Sequence, residues 1–219
     1  MYTYAYLVGT LLPLSLWIVF FAKSKDVRKE MLVIGTNVGF IAILTDFAWF
    51  LKDYWYPLKY ISVINFIWQE FLYSFILGGL LAVPYEVFFN KANTVSNINA
   101  GRLIPMIFLI LLPFLIFTNL LKINSIYSSI IGLQMSFALV FFTRKDLRVN
   151  SLVSGLLAFL VALVGYTVFL KVYPDIISDW WMLQNLSGIF VGKIPIEELI
   201  WFTSFGMVAG TIYKFCHEK

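Results

Sequence analysis

A chain of 219 residues that is 61% hydrophobic and only 13% charged is too apolar for a water-soluble domain and matches a bundle of membrane helices. The net charge of +4 is accounted for by basic residues facing anionic lipid headgroups and gives no reason to invoke nucleic acid. Cys216 is the only cysteine and His217 the only histidine, which excludes an intrachain disulfide, a thiolate or histidine metal cage, and a Ser-His-Asp triad within the membrane. The usual nucleotide and flavin fingerprints, G-x-G-x-x-G and the P-loop, are missing too.

In chain order, seven predominantly apolar segments run over about 4–22, 31–50, 64–89, 103–121, 126–142, 152–170 and 194–213, most near the roughly 20 residues a bilayer crossing needs. The first has no basic residue before it and no small-residue cleavage site after it, so it reads as a retained helix and not a removable signal. Eleven Lys and Arg residues fall in the odd-numbered loops and C-terminal tail: Lys23, Lys25, Arg28, Lys29, Lys91, Arg102, Arg144, Lys145, Arg148, Lys214 and Lys219. Five fall on the other side: Lys52, Lys59, Lys122, Lys171 and Lys193. Basic residues accumulate on the cytoplasmic face, so the N-terminus is placed outside and the C-terminus in the cytoplasm of a cell membrane.

The chain also resembles itself. VFFAKSKDVR around the first loop is answered by VFFTRKDLR around the fifth, the following spans end in Phe50-Leu51-Lys52 and Phe169-Leu170-Lys171, and Gln69-Glu70-Phe71-Leu72-Tyr73 aligns with Glu197-Glu198-Leu199-Ile200-Trp201. The expected fold is therefore all-α: seven transmembrane helices as two parallel three-helix repeats (1–95 and 125–219) joined by a linker helix (96–124), related by an axis along the membrane normal.

Ionisable residues within spans are costly and face the bundle interior, which makes them the first functional candidates. Here they are all acids: Asp46 on helix 2, Glu70 on helix 3, and Glu197 and Glu198 at the start of helix 7, all in the outer third of the bilayer at about 1.5 Å per residue. No Lys or Arg lies deep in a span to neutralise them, and a carboxyl taken from water without a cation tends to keep its proton. A protonated acid in an apolar cavity is a proton donor. For Asp46 a structural role as interhelical hydrogen-bond glue weighs as much as a chemical one. Glu197 and Glu198 point about 100° apart and cannot share one structural partner, which favours chemistry. Pro195 fits the first turn of helix 7, whose dipole favours nearby negative charge, so which glutamate holds a proton stays open. Glu86 reads as a solvated helix-end acid.

Aromatic residues stand one turn from the acids, Tyr73 after Glu70 and Trp201, Phe202 and Phe205 after Glu198; Tyr166 on helix 6 is counted with them. Most aromatics serve packing or an interfacial belt, Trp55, Trp180 and Trp181 in particular. Rings beside a proton donor can also stabilise a carbocation through their π faces. A seven-helix protein with its N-terminus outside is also the plan of a rhodopsin, but Lys193 and Lys214 lie at the two ends of helix 7, leaving no mid-membrane lysine for a retinal Schiff base.

The stretch Gly188-Ile189 to Ile194-Pro195-Ile196-Glu197-Glu198 resembles the G-I-x-x-x-x-I-P-x-E-(E/D) motif of the small integral-membrane lycopene cyclases, which are built from two three-helix domains in tandem. The first half is similar to the companion domain, with Asp46 at the place of the helix 2 aspartate, Tyr54-Trp55 in the loop that follows, Glu70 at the second acid of P-x-E-E, and Tyr85-Glu86 near the end of helix 3. It departs at Ile67-Trp68-Gln69-Glu70, where a proline and one acid are missing; Gln69 can hydrogen-bond but cannot donate a catalytic proton.

The resemblance implies closure of a linear polyene end to a β-ionone ring, redox-neutral and without a cofactor. Glu198 or Glu197 would protonate the terminal double bond of an apolar carotenoid such as lycopene, Glu70 and Asp46 would be the acid-base partners, and Gln69, Tyr73, Pro195, Trp201, Phe202, Phe205 and Tyr166 would line the substrate site. The substrate would enter laterally from membrane lipid. Two other classes are compatible with the sequence. One is a non-catalytic carotenoid-binding or assembly subunit, suggested by the altered first motif. The other is a small 3+1+3 transporter, against which the lack of a Pro-Gln dipeptide near the ends of helices 1 and 5 argues.

Overall fold

A computed structural model describes residues 2–89 and 99–217, and within them seven helices are long and apolar enough to cross a membrane. They are α1 (Ala5–Lys23), α2 (Arg28–Asp53), α3 (Val63–Ala82), α4 (Gly101–Leu120), α5 (Ser125–Thr143), α6 (Lys145–Val172) and α7 (Ile196–Cys216). The third ends earlier than hydropathy suggests. Pro84 lacks the N–H that would extend the ladder, so α3 stops and a separate short helix runs over Pro84–Phe89. The domain boundary drawn at residue 95, and Lys91 and Lys219, which were counted toward orientation, lie outside the described residues.

Large apolar side chains point outward along the spans, Leu44, Ile64 and Phe142 among the most exposed. That surface is what a lipid-facing bundle presents. The window of α7 is 61% buried and that of α3 50%, against 17% for α4, so α3 and α7 form the centre and α4 the periphery. α2 packs along α3, and α6 along α7. Small residues allow both approaches: a Cβ on Gly35 would lie 2.5 Å from the Phe75 carbonyl oxygen, and one on Gly206 2.6 Å from that of Ser154. Arg28 Nε donates to the Phe21 carbonyl at 2.7 Å with its guanidinium 5.0 Å from that ring's centroid. Arg148 does the same at Phe141, at 2.7 Å and 4.7 Å.

At the end of the bundle where α2 and α6 finish, the loops that follow them are paired. Tyr56 N–H donates to the Trp180 carbonyl at 2.6 Å and Met182 N–H to the Tyr54 carbonyl at 2.8 Å, an antiparallel bridge between Trp55 and Trp181. Asp53 ties this cover to α5, accepting from Ser125 N–H at 2.9 Å and Ser125 Oγ at 2.5 Å, while its carbonyl accepts from Asn124 Nδ2 and Asn185 Nδ2, each at 2.7 Å. The Tyr2 hydroxyl donates to Asp179 Oδ2 at 2.7 Å; that carboxylate acceptor, with burial, pushes the phenol up to about 12.

Just before α7, β1 (Phe190–Val191) and β2 (Ile194–Pro195) form a two-stranded antiparallel hairpin, which helical periodicity gave no sign of. Gly192 turns it at φ +65° and Gly188 enters it at φ +75°, backbone conformations that favour glycine. Pro195 is therefore not inside the first turn of α7: it is the extended residue before it, with ψ 137°, paired across the hairpin with Phe190.

At the opposite end, Glu86 is buried, which corrects its reading as a solvated acid. Lys214 Nζ lies 2.8 Å from Glu86 Oε1 and 3.1 Å from Glu30 Oε1, and Asn150 Nδ2 donates to Glu86 Oε1 at 2.9 Å. The partner that makes this burial tolerable comes from α7, far along the chain.

Candidate active site

Asp46 opens a π-helical turn, Asp46–Phe50, within α2. Such a turn takes up an extra residue and re-aims the side chains around it, and turns of this kind are frequent at functional sites. Asp46 is buried; its Oδ1 accepts from Trp55 Nε1 at 3.3 Å and its Oδ2 has no partner. Glu70 on α3 is its electrostatic neighbour. Glu70 Oε1 accepts from Ser74 Oγ, one turn on, at 2.6 Å; its Oε2 lacks a hydrogen bond of good geometry, and the Tyr6 hydroxyl of α1 approaches it.

Glu198, in the first turn of α7, is held more fully. Its Oε1 accepts from Trp181 Nε1 at 2.7 Å and from the Tyr54 hydroxyl, and its Oε2 from the Tyr166 hydroxyl at 2.5 Å. Trp181 also donates to the Tyr54 oxygen at 3.1 Å. Because Tyr54 and Trp181 come from the two paired loops, the cover and the carboxyl fix each other.

These three acids line one cavity of about 330 Å³, to which all seven spans contribute. Tyr73, Tyr166, Trp201, Phe202 and Phe205 are on its wall, and among the described residues no Lys, Arg or His is. On α7 the lining runs from Glu198 to Ile212, roughly 20 Å of helix at 1.5 Å per residue. The wall includes Asn37 and Ile41, both exposed on the outer surface of α2, together with Ile110 of α4, so the cavity opens sideways between these helices.

Three of the residues expected in the site are placed elsewhere. Glu197 turns from the cavity, its Oε1 accepting from Ser187 N–H at 2.7 Å and from the Tyr127 hydroxyl at 2.9 Å, which fastens the hairpin approach and α5 to the start of α7. Gln69 is fully buried and donates from Nε2 to the Thr3 carbonyl at 3.0 Å. Pro195 is in the hairpin. The structure adds Tyr54, Trp181, Trp55, Ser74 and Tyr6 as partners of the acids. For Trp55 and Trp181 this replaces the belt reading: their indole N–H groups serve Asp46 and Glu198 in place of lipid headgroups. Trp180 is buried among aromatic rings, 5.5 Å from Tyr6 and 6.3 Å from Trp181 between centroids.

An apolar guest in this cavity would meet three carboxyl groups and several ring faces, groups able to give a proton, take a proton and hold a cation between the two events. Residues 124–216, which contain α5, α6, the hairpin and α7, match the family model described as Lycopene cyclase. No curated protein and no solved structure matched the chain.

Proposed function

We propose that the chain, whose residues 124–216 match the lycopene cyclase family model, is a carotenoid cyclase that closes a linear polyene end to a β-ionone ring by acid catalysis. The observation that carries the proposal is the meeting of Asp46, Glu70 and Glu198 on one aromatic-lined cavity with, among the described residues, no cation on its wall. Glu198 protonates the terminal double bond; of the two glutamates of the motif it is the one that faces the cavity. The neighbouring double bond attacks the resulting cation to form a six-membered ring, Tyr73, Tyr166, Trp201, Phe202 and Phe205 shield that cation, and the Glu70–Asp46 pair takes up the proton lost from the ring. Proton gain and loss balance, so no redox cofactor enters. The polyene arrives from lipid through the side opening at Asn37 and Ile41.

The missing acid at position 69 weighs little against catalysis. In both halves the first residue of the pair turns away to hold neighbouring chain, Glu197 by accepting from an N–H and Gln69 by donating to a carbonyl. A carboxylate could not make the second bond and an amide can. The same correspondence, the matched Arg28 and Arg148 contacts, and the pairing of Trp55 with Trp181 support reading the chain as two parallel three-helix repeats about a linker; the count of basic residues supports an N-terminus outside.

Carotenoids extracted from a lycopene-accumulating host expressing the chain test the function. A product with a cyclic end group is expected, lost with Glu198→Gln and retained with Glu197→Gln. Unchanged lycopene overturns the assignment and leaves a carotenoid-binding subunit.

A further inference from the structure

A carboxyl that gives up a proton needs two things from its surroundings: the proton must sit on the oxygen free to release it, and the charge left behind must be received by fixed donors. The three side chains around Glu198 can be sorted by what their hydrogens are able to do. The indole of Trp181 has an N–H and no acceptor. It lies 2.7 Å from Glu198 Oε1 and 3.1 Å from the Tyr54 oxygen and donates to both. With that hydrogen on the acceptor side of the Tyr54 hydroxyl, the hydroxyl's own hydrogen goes to Oε1. Oε1 thus receives two hydrogens and is not the oxygen that carries a third. Among the described residues Oε2 has one hydrogen-bond partner, the Tyr166 hydroxyl at 2.5 Å, a group able to accept as well as donate.

Resting on the cyclase reading, we infer that Trp181, Tyr54 and Tyr166 are positioning residues that place the transferable proton of Glu198 on Oε2 and steady the carboxylate that remains. In the acid form Oε1 is the carbonyl oxygen and Oε2 bears the hydrogen. As the terminal double bond of the polyene is protonated, the Oε2–H bond breaks and its electron pair stays on the oxygen. The π pair of the double bond forms the new C–H bond, and the neighbouring carbon is left as the cation that ring closure consumes. The Tyr166 hydroxyl then turns its hydrogen to Oε2, so the carboxylate holds three hydrogen bonds in the place of a cation. Bonds to an ionised acceptor are roughly twice as strong as neutral ones, and all three tighten as the proton leaves. Two of them come from the paired loops, Tyr54 after α2 and Trp181 after α6, so the acid is set only when those loops are joined.

Infrared spectra of the purified full-length protein, with turnover measured on lycopene, test this. The carbonyl stretch of a protonated carboxyl moves to higher frequency when its carbonyl oxygen loses a donor. The Glu198 band, identified as the one lost in Glu198→Gln, should rise in Tyr54→Phe by more than in Tyr166→Phe. Both changes keep the ring and remove one oxygen, and each should lower kcat by about 10-fold to 100-fold with KM little changed. Trp181→Phe removes the other donor to Oε1 and takes the place of Tyr54→Phe if that variant elutes as aggregate. A larger rise in Tyr166→Phe than in the Oε1 variants puts the proton on Oε1 and overturns the proposal. A band that moves in neither Oε1 variant overturns it too, as does a protein that forms rings with no carboxyl band lost in Glu198→Gln; in each of these cases the cyclase reading stands. No ring from the unchanged protein overturns the cyclase reading and this proposal with it.

Discussion

At one end of the bundle Glu30 and Glu86 are buried against Lys214, and at the other Asp46, Glu70 and Glu198 are buried around a cavity whose wall, among the described residues, carries no cation. Both ends face the same problem, since removing a carboxylate from water costs several kcal/mol unless something compensates. The Lys214 end compensates with an ion pair and amide donors, and the result is a rigid join between α2, α7 and the segment after α3. The cavity end compensates with hydroxyl and indole hydrogens, which hold the carboxyl groups in place yet leave oxygens without partners. A buried acid neutralised by lysine is a fastening. A buried acid with hydrogen-bond donors and no cation keeps the freedom to carry a proton.

That contrast can be broken at its strongest point by Glu198→Gln, which keeps shape and hydrogen bonding but removes the exchangeable acid. Ring formation per folded molecule should fall by roughly 100-fold to 10,000-fold, measured on carotenoid extracts, with the midpoint of thermal unfolding nearly unchanged. Lys214→Met should do the reverse. Leaving Glu86 without Lys214 should cost about 3–5 kcal/mol of stability, and adding Glu86→Gln should restore part of it while activity per folded molecule stays the same. Glu197→Ala sharpens the comparison within the motif itself: losing the bonds to Ser187 and Tyr127 should cost about 1–3 kcal/mol in an unfolding assay, with ring chemistry retained. The smallest effect belongs to the cover. Tyr2 is held above the usual phenol value of about 10 by Asp179, so its contribution to stability is full below pH 10 and fades as pH rises through about 12. Tyr2→Phe should flatten that alkaline decline in stability measured against pH.

The spans were legible in the sequence because lipid imposes long apolar runs, and every expected segment has its helix. The acids too were legible, since charge within such runs is conspicuous, and adjacent positions on a helix put Glu197 and Glu198 about 100° apart without saying which faced inward. What the sequence hid depended on contacts across the chain. Glu86 reads as solvated until Lys214 is brought beside it from α7. Trp55 and Trp181 read as belt residues because each lies in a loop outside the spans, and only the pairing of those two loops turns their N–H groups toward Asp46 and Glu198. The hairpin was hidden because its strands are two residues each, too short for any periodicity; the two glycines at Gly188 and Gly192 were its only local sign.

The pairing of the loops after α2 and α6 has a consequence for traffic. With Trp55 and Trp181 bridged over the acids, the cavity is a blind alley whose side door opens toward lipid. On the cyclase reading, a long substrate with two reactive ends would enter nose first, be closed at that end, and have to back out and turn round before the other end could follow. The singly closed product would then be released into the bilayer after each visit and compete with fresh substrate for the doorway. The ratio of singly to doubly closed product would then be set by the crowding of the membrane as much as by the protein.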